Sequence, residues 1–158
     1  MSGHRVDTSR VFPVEPGAAF DRLMGARLTE VFSRRYAAFP PVTDVVDQPD
    51  GWGAVGQVRT IVLAEGGGRM RETLTDVERP RGFAYRLDEI EGPLRRFVHR
   101  VDGEWTLAPH DGGVRVGWAW TFHPRTSPAR LTTSVLGRMW KGYAERALTE
   151  LGPILSRD

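Results

Sequence analysis

Apolar and polar residues alternate through the middle of the chain, whereas helical spacing marks its two flanks. A period of two residues predicts strands over 5–12, 43–47, 55–63, 69–77, 83–88, 94–107 and 114–122. The helical period predicts two short helices after the first strand, with a kink at Gly25, and one long helix over 127–155. Ser127 and Pro128 suit the start of that helix, as its N-cap and its first helical residue.

The order of these elements predicts how they pack. One strand, two short helices, six strands and a long helix form an α+β pattern, and short turns favour antiparallel pairing of the strands. We therefore predict a helix-grip fold over a single domain, 1–158, in which a curved antiparallel sheet of about seven strands wraps the C-terminal helix. Gly103, within the sixth strand, is expected to form a β-bulge.

Alternation also assigns strand side chains to the two faces of the sheet. Met70, Glu72 and Leu74 share the face that should contact the long helix, and Arg69 and Arg71 share the solvent face. The same argument turns inward Tyr85, Leu87, Phe97, His99 and Val101.

In two strands the choice of inner face needs more than alternation. In the third strand the pattern does not decide between two sets, which are Arg59, Ile61 and Leu63, or Val58, Thr60 and Val62. In the seventh strand the alternative inner set is Gly117, Ala119 and Thr121. The alternation of side-chain size instead turns Trp118 and Trp120 inward, and we follow it because two tryptophans exposed on one sheet face are unfavourable. Inward tryptophans reduce the space inside the sheet.

Apolar residues follow one another at three- or four-residue steps along the long helix. They are Leu131, Val135, Met139, Tyr143, Ala147, Leu151 and Ile154. We expect this stripe to face the sheet.

Polar side chains directed inward need partners or water. An isolated buried charge is strongly unfavourable, and Glu72, His99 and Arg59 all fall on or near the inner face. Two interpretations remain open. Either the residues line a cavity that holds water, or Arg59 and Glu72 form a satisfied ion pair and His99 is a hydrogen-bonded core residue.

Composition limits the chemistry. The formal charge is +2, from 22 basic and 20 acidic residues, and no basic run or known motif indicates nucleic-acid binding. The chain has no cysteine, and its four histidines lack metal-ligand spacing, so we expect no metal and no cofactor. No apolar run is long enough to span a membrane, and the N-terminus has no apolar leader, so we expect a cytoplasmic protein without stable membrane insertion, either monomer or homodimer.

The sequence resembles the START-like superfamily, which includes the major birch-pollen allergen, plant abscisic acid receptors, polyketide aromatase/cyclases and lipid-transfer domains. The resemblance covers almost the whole chain and looks most like the bacterial polyketide cyclase/dehydrase branch. The segments that carry it, besides the final helix, are Val55-Gly56-Gln57-Val58-Arg59, Arg71-Glu72-Thr73-Leu74, Pro80-Arg81-Gly82-Phe83-Ala84-Tyr85-Arg86 and Glu104-Trp105-Thr106.

This resemblance implies a pocket and some of its walls. By similarity to the hormone receptors, Arg59 and Glu72 match polar cavity positions and His99 a small polar one. Segments 65–68 and 90–94 correspond to the two loops that flank the pocket mouth, although the receptors' gate sequences are absent. The candidate ligand-binding residues are Arg59, Ile61, Leu63, Met70, Glu72, Leu74, Tyr85, Leu87, Phe97, His99, Trp118, Trp120, Val135, Met139, Tyr143 and Ala147.

Three functions follow from a domain of this kind. The first is a carrier or sensor that binds a small hydrophobic molecule, such as a lipid or polyketide. The second is an enzyme of the polyketide cyclase/aromatase type, with Glu72 and His99 as candidate catalytic acid–base residues. The third is a protein-interaction module of the chaperone-activator type, in which Trp52 and Trp140 would form an exposed apolar patch.

Overall fold

The strands join into one curved antiparallel sheet in the computed structural model, which describes residues 3–33, 39–64, 66–126 and 128–157. The strands are β1 (His4–Phe12), β2 (Val42–Val46), β3 (Val58–Leu63), β4 (Gly68–Glu78), β5 (Gly82–Asp88), β6 (Val98–His110) and β7 (Gly113–Pro124). Their order across the sheet is β1-β7-β6-β5-β4-β3-β2, so the first strand pairs with the last. The predicted α+β fold with about seven strands is confirmed.

Three helices and one 3₁₀ turn complete the described elements. They are α1 (Pro16–Met24), α2 (Leu28–Val31), α3 (Ala129–Leu155) and the 3₁₀ turn Pro93–Arg96. The carboxylate of Glu15 caps α1 by accepting from the backbone N–H groups of Gly17 and Ala18, and these bonds lower the pKa of Glu15. Arg79 donates two hydrogen bonds to Asp21, at 2.8 and 2.9 Å, and so fastens α1 to the turn between β4 and β5.

The buried face of α3 differs from the predicted stripe. Its buried apolar side chains are those of Leu136, Trp140, Tyr143, Ala144, Ala147, Leu148, Leu151, Ile154 and Leu155. Leu131 and Val135 are 81% and 54% exposed, so their inward prediction is wrong. Each step of four residues advances about 40° beyond a full helical turn, and the predicted stripe therefore winds round the helix. Leu131 lies roughly 120° from Tyr143, whereas Leu136 lies within about 20° of it.

The starts of α3 and β6 also differ from expectation. Pro128 occupies the N-cap position of α3, and Ser127 lies outside the described residues. The segment Pro93–Arg96, predicted as the first part of the sixth strand, is the 3₁₀ turn, and β6 begins at Val98.

A register irregularity at the start of β6 turns His99 outward. The pairing with β7 shifts between Val98 and Arg100, so one residue is added to the alternation. Val98 and Val101 are both fully buried, whereas His99 is exposed. The inward prediction for His99 is therefore wrong, because the bulge moves it out of phase with Val101.

Gly103 has a packing role instead of the predicted bulge. It pairs in register with Tyr85 on β5 and with Trp120 on β7. A Cβ atom at Gly103 would lie 2.1 Å from Cζ of Tyr85, which is shorter than any real contact. The missing side chain thus lets the Tyr85 ring lie across β6 and reach β7.

We predict that Gly103→Ala destabilises the fold by about 1–3 kcal/mol, because the added methyl group overpacks the crossing. Urea denaturation followed by tryptophan fluorescence measures the change. Gly152→Ala is the matched control, since its methyl group would meet only Cε1 of Phe12, at an ordinary contact distance of 3.9 Å, and its backbone lies within α3. Equal midpoints for the Gly103 variant and the native protein would contradict the packing role.

Candidate functional site

Two adjacent cavities lie between the sheet and the helices. Cavity 1, of about 70 Å³, is bounded by the inner faces of β3, β4, β5 and β7 and by the α1–α2 region. Cavity 2, of about 160 Å³, lies under the 3₁₀ turn and beside α3, where Leu94, Phe97 and Leu136 contribute to its walls. The residues that line both cavities are Leu63, Met70, Trp120 and Tyr143. The cavities therefore share a wall of side chains.

Many of the candidate residues from the sequence meet around cavity 1. They are Arg59, Ile61, Leu63, Met70, Glu72, Tyr85, Leu87, Trp118, Trp120 and Tyr143. In the third strand the inner set is thus the one that contains Arg59, a choice that alternation left open.

The other candidates lie elsewhere. Phe97 lines cavity 2, Leu74 is buried in the core, and Ala147 lines a small cleft between α2 and α3. Met139 is half-buried against the core, outside the walls of both cavities. His99 and Val135 are exposed, so the structure does not bring them to the cavities.

Several wall residues of cavity 1 were missed by sequence reasoning. Those from the α1–α2 region are Leu23, Met24, Ala26, Leu28, Val31 and Phe32. Their helical spacing was visible in the sequence, but nothing in that spacing indicates which part of the sheet the helices cover. Trp105 was also missed, although it lies two residues beyond Gly103 on the inner face of β6.

An ion pair forms one polar end of cavity 1. Arg59 and Glu72 face each other in register across β3 and β4, are 6% and 4% exposed, and Arg59 Nε donates to Glu72 Oε1. Arg59 Nη1 donates to Oε1 of Gln48 at 2.9 Å, and the guanidinium carbon lies 4.1 Å from the ring centroid of Trp52. Both interpretations of the inward charges thus hold for this pair, which is satisfied and also lines a cavity.

Burial dominates the titration of Glu72. Loss of solvent raises the pKa of Glu72 above its ordinary value of 4.5, and the charge and hydrogen bond of Arg59 oppose that rise. The carboxyl group therefore holds a proton more tightly than an exposed glutamate does.

A second polar group belongs to Tyr85. Its hydroxyl oxygen accepts hydrogen bonds from Nε1 of Trp118 and Nε1 of Trp120, both at 2.8 Å. Burial is the main cause that raises the pKa of Tyr85, so the phenol stays neutral. Burial also raises the pKa of Tyr143, with a smaller contribution from nearby Tyr85.

Aromatic rings form much of the remaining wall. Trp118 stacks on Trp105 with centroids 4.7 Å apart and planes 3° apart, and it also contacts Trp140. Tyr143 stacks between Phe32 and Phe39, at 5.4 and 5.2 Å. Trp118 and Trp120 are almost fully buried, so they face inward as the alternation of side-chain size predicts.

The two tryptophans named for an exposed interaction patch do not form one. Trp140 is completely buried, and Trp52 is half-buried over the guanidinium of Arg59.

Within the described part of the chain, no group of three or more acidic or histidine side chains is arranged to hold a metal ion. None of the described helices is both long enough and apolar enough to cross a membrane.

Solved structures share this architecture at low sequence identity. Major latex-like protein 151 from Panax ginseng has a TM-score of 0.68 and 13% identity, covering 99% of this chain and 100% of its own. Ara h 8.0201 has a TM-score of 0.66 and 18% identity, covering 98% and 99%. Protein MLL2253 from Mesorhizobium loti has a TM-score of 0.64 and 18% identity, covering 94% and 96%. These likenesses establish the fold.

A family match extends over nearly the whole chain, whereas no curated protein matches it. The matched family is described as polyketide cyclase / dehydrase and lipid transport, and the match covers residues 3–153. The resemblance to the START-like superfamily is thereby confirmed, and family and fold together support a scaffold that binds hydrophobic ligands. The chain belongs to the polyketide cyclase / dehydrase and lipid transport family.

Proposed function

We propose that the whole chain, 1–158, acts as one domain that binds a small hydrophobic molecule in cavities 1 and 2, as a carrier or sensor. The observation that carries this proposal is the composition of the walls. Aromatic and aliphatic side chains surround both cavities, and a few polar groups, from Arg59, Glu72 and Tyr85, lie on the wall of cavity 1. Ligand pockets in proteins combine a largely apolar surface with a small number of placed polar groups in this way.

The closure over cavity 2 supports the same proposal. Glu91 N donates to Arg69 O at 2.8 Å, which ties the 3₁₀-turn loop to the start of β4. A Cβ atom at Gly68 would lie 2.0 Å from the carbonyl oxygen of Glu91, and one at Gly92 would lie 2.3 Å from that of Gly67. The two loops therefore touch through their backbones, and a ligand that enters at this point must part them.

We predict that the protein binds N-phenyl-1-naphthylamine, a neutral fluorescent probe, saturably, and that Met70→Trp weakens this binding by about tenfold or more. Met70 lies on the wall shared by both cavities, so an indole there occupies ligand space. Fluorescence titration measures the affinity.

Val58→Trp is the matched control, because Val58 is 39% exposed on the outer face of the neighbouring strand β3. This variant should bind the probe as the native protein does. Equal affinity in the Met70 variant, with its fold intact by circular dichroism, would place the probe outside the cavities.

A second candidate function is an enzyme of the polyketide cyclase/aromatase type. The raised pKa of Glu72 beside cavity 1 favours it, since a carboxyl group that titrates nearer neutrality is a better proton donor and acceptor. His99 is exposed and absent from the walls of both cavities, so the expected Glu72–His99 pair does not form. Glu72 and the phenol groups of Tyr85 and Tyr143 are the titratable groups that remain beside Arg59 on that wall.

This candidate requires a raised pKa for Glu72. The dependence of the free energy of unfolding on pH tests this requirement. The folded state then binds the proton more tightly than the unfolded chain, so the contribution of Glu72 is complete below pH 4.5 and declines as the pH rises to the raised pKa. The free energy of unfolding of the native protein, minus that of Glu72→Gln, should fall over this window and then stay constant.

Asp21→Asn is a control of opposite sign. The hydrogen bond from Arg79 lowers the pKa of Asp21 from 3.8. The free energy of unfolding of the native protein, minus that of Asp21→Asn, should therefore rise with pH through the acid range and be constant above pH 3.8. Urea denaturation at a series of pH values measures both differences. If the difference between the native protein and Glu72→Gln rises with pH instead, the effect of Arg59 on the pKa of Glu72 is larger than that of burial. Glu72 then loses its proposed acid–base role.

A further inference from the structure

The hydroxyl group of Tyr85 is restricted to one hydrogen-bonding role. A hydroxyl oxygen has two lone pairs and carries one hydrogen. Both lone pairs of Tyr85 are engaged, because Trp118 Nε1 and Trp120 Nε1 each donate to the oxygen at 2.8 Å. Indole N–H groups are donors only, so these roles cannot be exchanged. The hydroxyl group of Tyr85 can therefore make a further hydrogen bond only by donating its own hydrogen.

That hydrogen finds no acceptor in the surrounding protein. Among the residues that the structure describes, none accepts a hydrogen bond from the hydroxyl of Tyr85. Glu72 is close enough to influence the titration of Tyr85, but the hydrogen-bond partner of Glu72 is Arg59. Tyr85 lines cavity 1, so a molecule bound in that cavity can supply the missing acceptor.

The position of this donor is fixed before any ligand binds. The Tyr85 ring is held against the bare backbone of β6 at Gly103, and its oxygen is held by two indole groups on β7. Trp118 is itself stacked on Trp105, so the frame that carries the hydroxyl is packed from both sides. A preorganised donor binds an acceptor with little loss of conformational entropy.

We propose that Tyr85 is a donor-only recognition site in cavity 1 for a carbonyl oxygen, and that it selects ketone-bearing hydrophobic ligands over hydrocarbons and over ligands that carry only N–H donors. This inference rests on the proposed function, since it names the ligand class of the same cavity. A ketone oxygen accepts from Tyr85, a hydrocarbon leaves that donor unpaired, and an N–H group finds both lone pairs occupied. Neutral Tyr85 keeps its hydrogen across the physiological pH range.

Three bicyclic probes of matched size test the selection, namely 1-indanone, indane and indole. Isothermal titration calorimetry of the native protein and of Tyr85→Phe gives, for each, the ratio of the affinity for 1-indanone to that for indane. This ratio should be about five- to tenfold higher in the native protein, which is the range of one net hydrogen bond. The ratio is compared because Tyr85→Phe also leaves two buried indole N–H groups without an acceptor, and that change acts on both probes.

A second variant converts the site. Trp120→Phe removes one indole N–H and frees a lone pair on Tyr85, so that the oxygen can accept from a ligand. The affinity for indole, relative to indane, should rise several-fold, and Tyr85→Phe added to this variant should abolish the gain. Trp140→Phe is the matched control, because Trp140 lies outside the walls of both cavities and its Nε1 donates to no described residue, and this variant should leave the ratio unchanged.

An infrared measurement separates a hydrogen bond from a packing effect. The carbonyl stretch of bound 1-indanone labelled with ¹³C should lie at lower wavenumber in the complex with the native protein than in the complex with Tyr85→Phe. An equal affinity ratio in the two proteins, or a carbonyl band at the same wavenumber in both complexes, overturns this inference and leaves the proposed function standing. Failure of all three probes to bind overturns both.

Discussion

Two indole N–H groups that meet on one phenol oxygen hold the inner wall of this protein together. Tyr85 belongs to β5 and the two tryptophans to β7, so these bonds bridge strands that β6 separates. The bridge exists because Gly103 leaves β6 without a side chain at the crossing. A shift in the register of any of the three strands would leave buried donors without an acceptor, which folded proteins avoid. One polar cluster thus fixes both the register of the sheet and the shape of the cavity wall.

Ion pairs lie on both faces of the sheet, in different surroundings. On the outer face Arg71 donates to both carboxylate oxygens of Asp88, at 2.8 and 3.1 Å, in contact with solvent. The next residue, Glu72, points inward and pairs with Arg59, and both side chains are almost fully buried. An exposed pair of the first kind contributes little to stability, and a buried pair of the second kind bears a large desolvation cost. The buried pair lies at the polar end of cavity 1.

The two cavities are coupled through their common wall. Leu63, Met70, Trp120 and Tyr143 contribute to both, so the size of each cavity depends on the rotamers of the same side chains. Methionine is the most adaptable of these, because its unbranched chain has three rotatable bonds. Trp120, in contrast, is fixed by its bond to Tyr85. The wall combines one anchored aromatic side chain with a flexible one, an arrangement that suits a ligand-binding interior.

The sequence by itself determined the elements, their order and the inner face of most strands. Period-two alternation depends only on the geometry of the backbone, so it placed Met70, Glu72, Tyr85 and Trp118 inside without knowledge of their neighbours. The family resemblance rests on the same pattern of strands and turns, and it too was readable from the chain. These are local properties, and each needs only a short stretch of sequence.

The tertiary structure decided everything that depends on contact between distant segments. The bulge that turns His99 outward arises from the pairing of β6 with β7, and the exposure of Val135 depends on which face of α3 packs against the sheet. The donor-only state of Tyr85 needs two tryptophans more than 30 residues away and a glycine on the strand between them. No periodicity encodes such a meeting, because hydrogen-bond saturation depends on where side-chain atoms lie in space and not on their order along the chain.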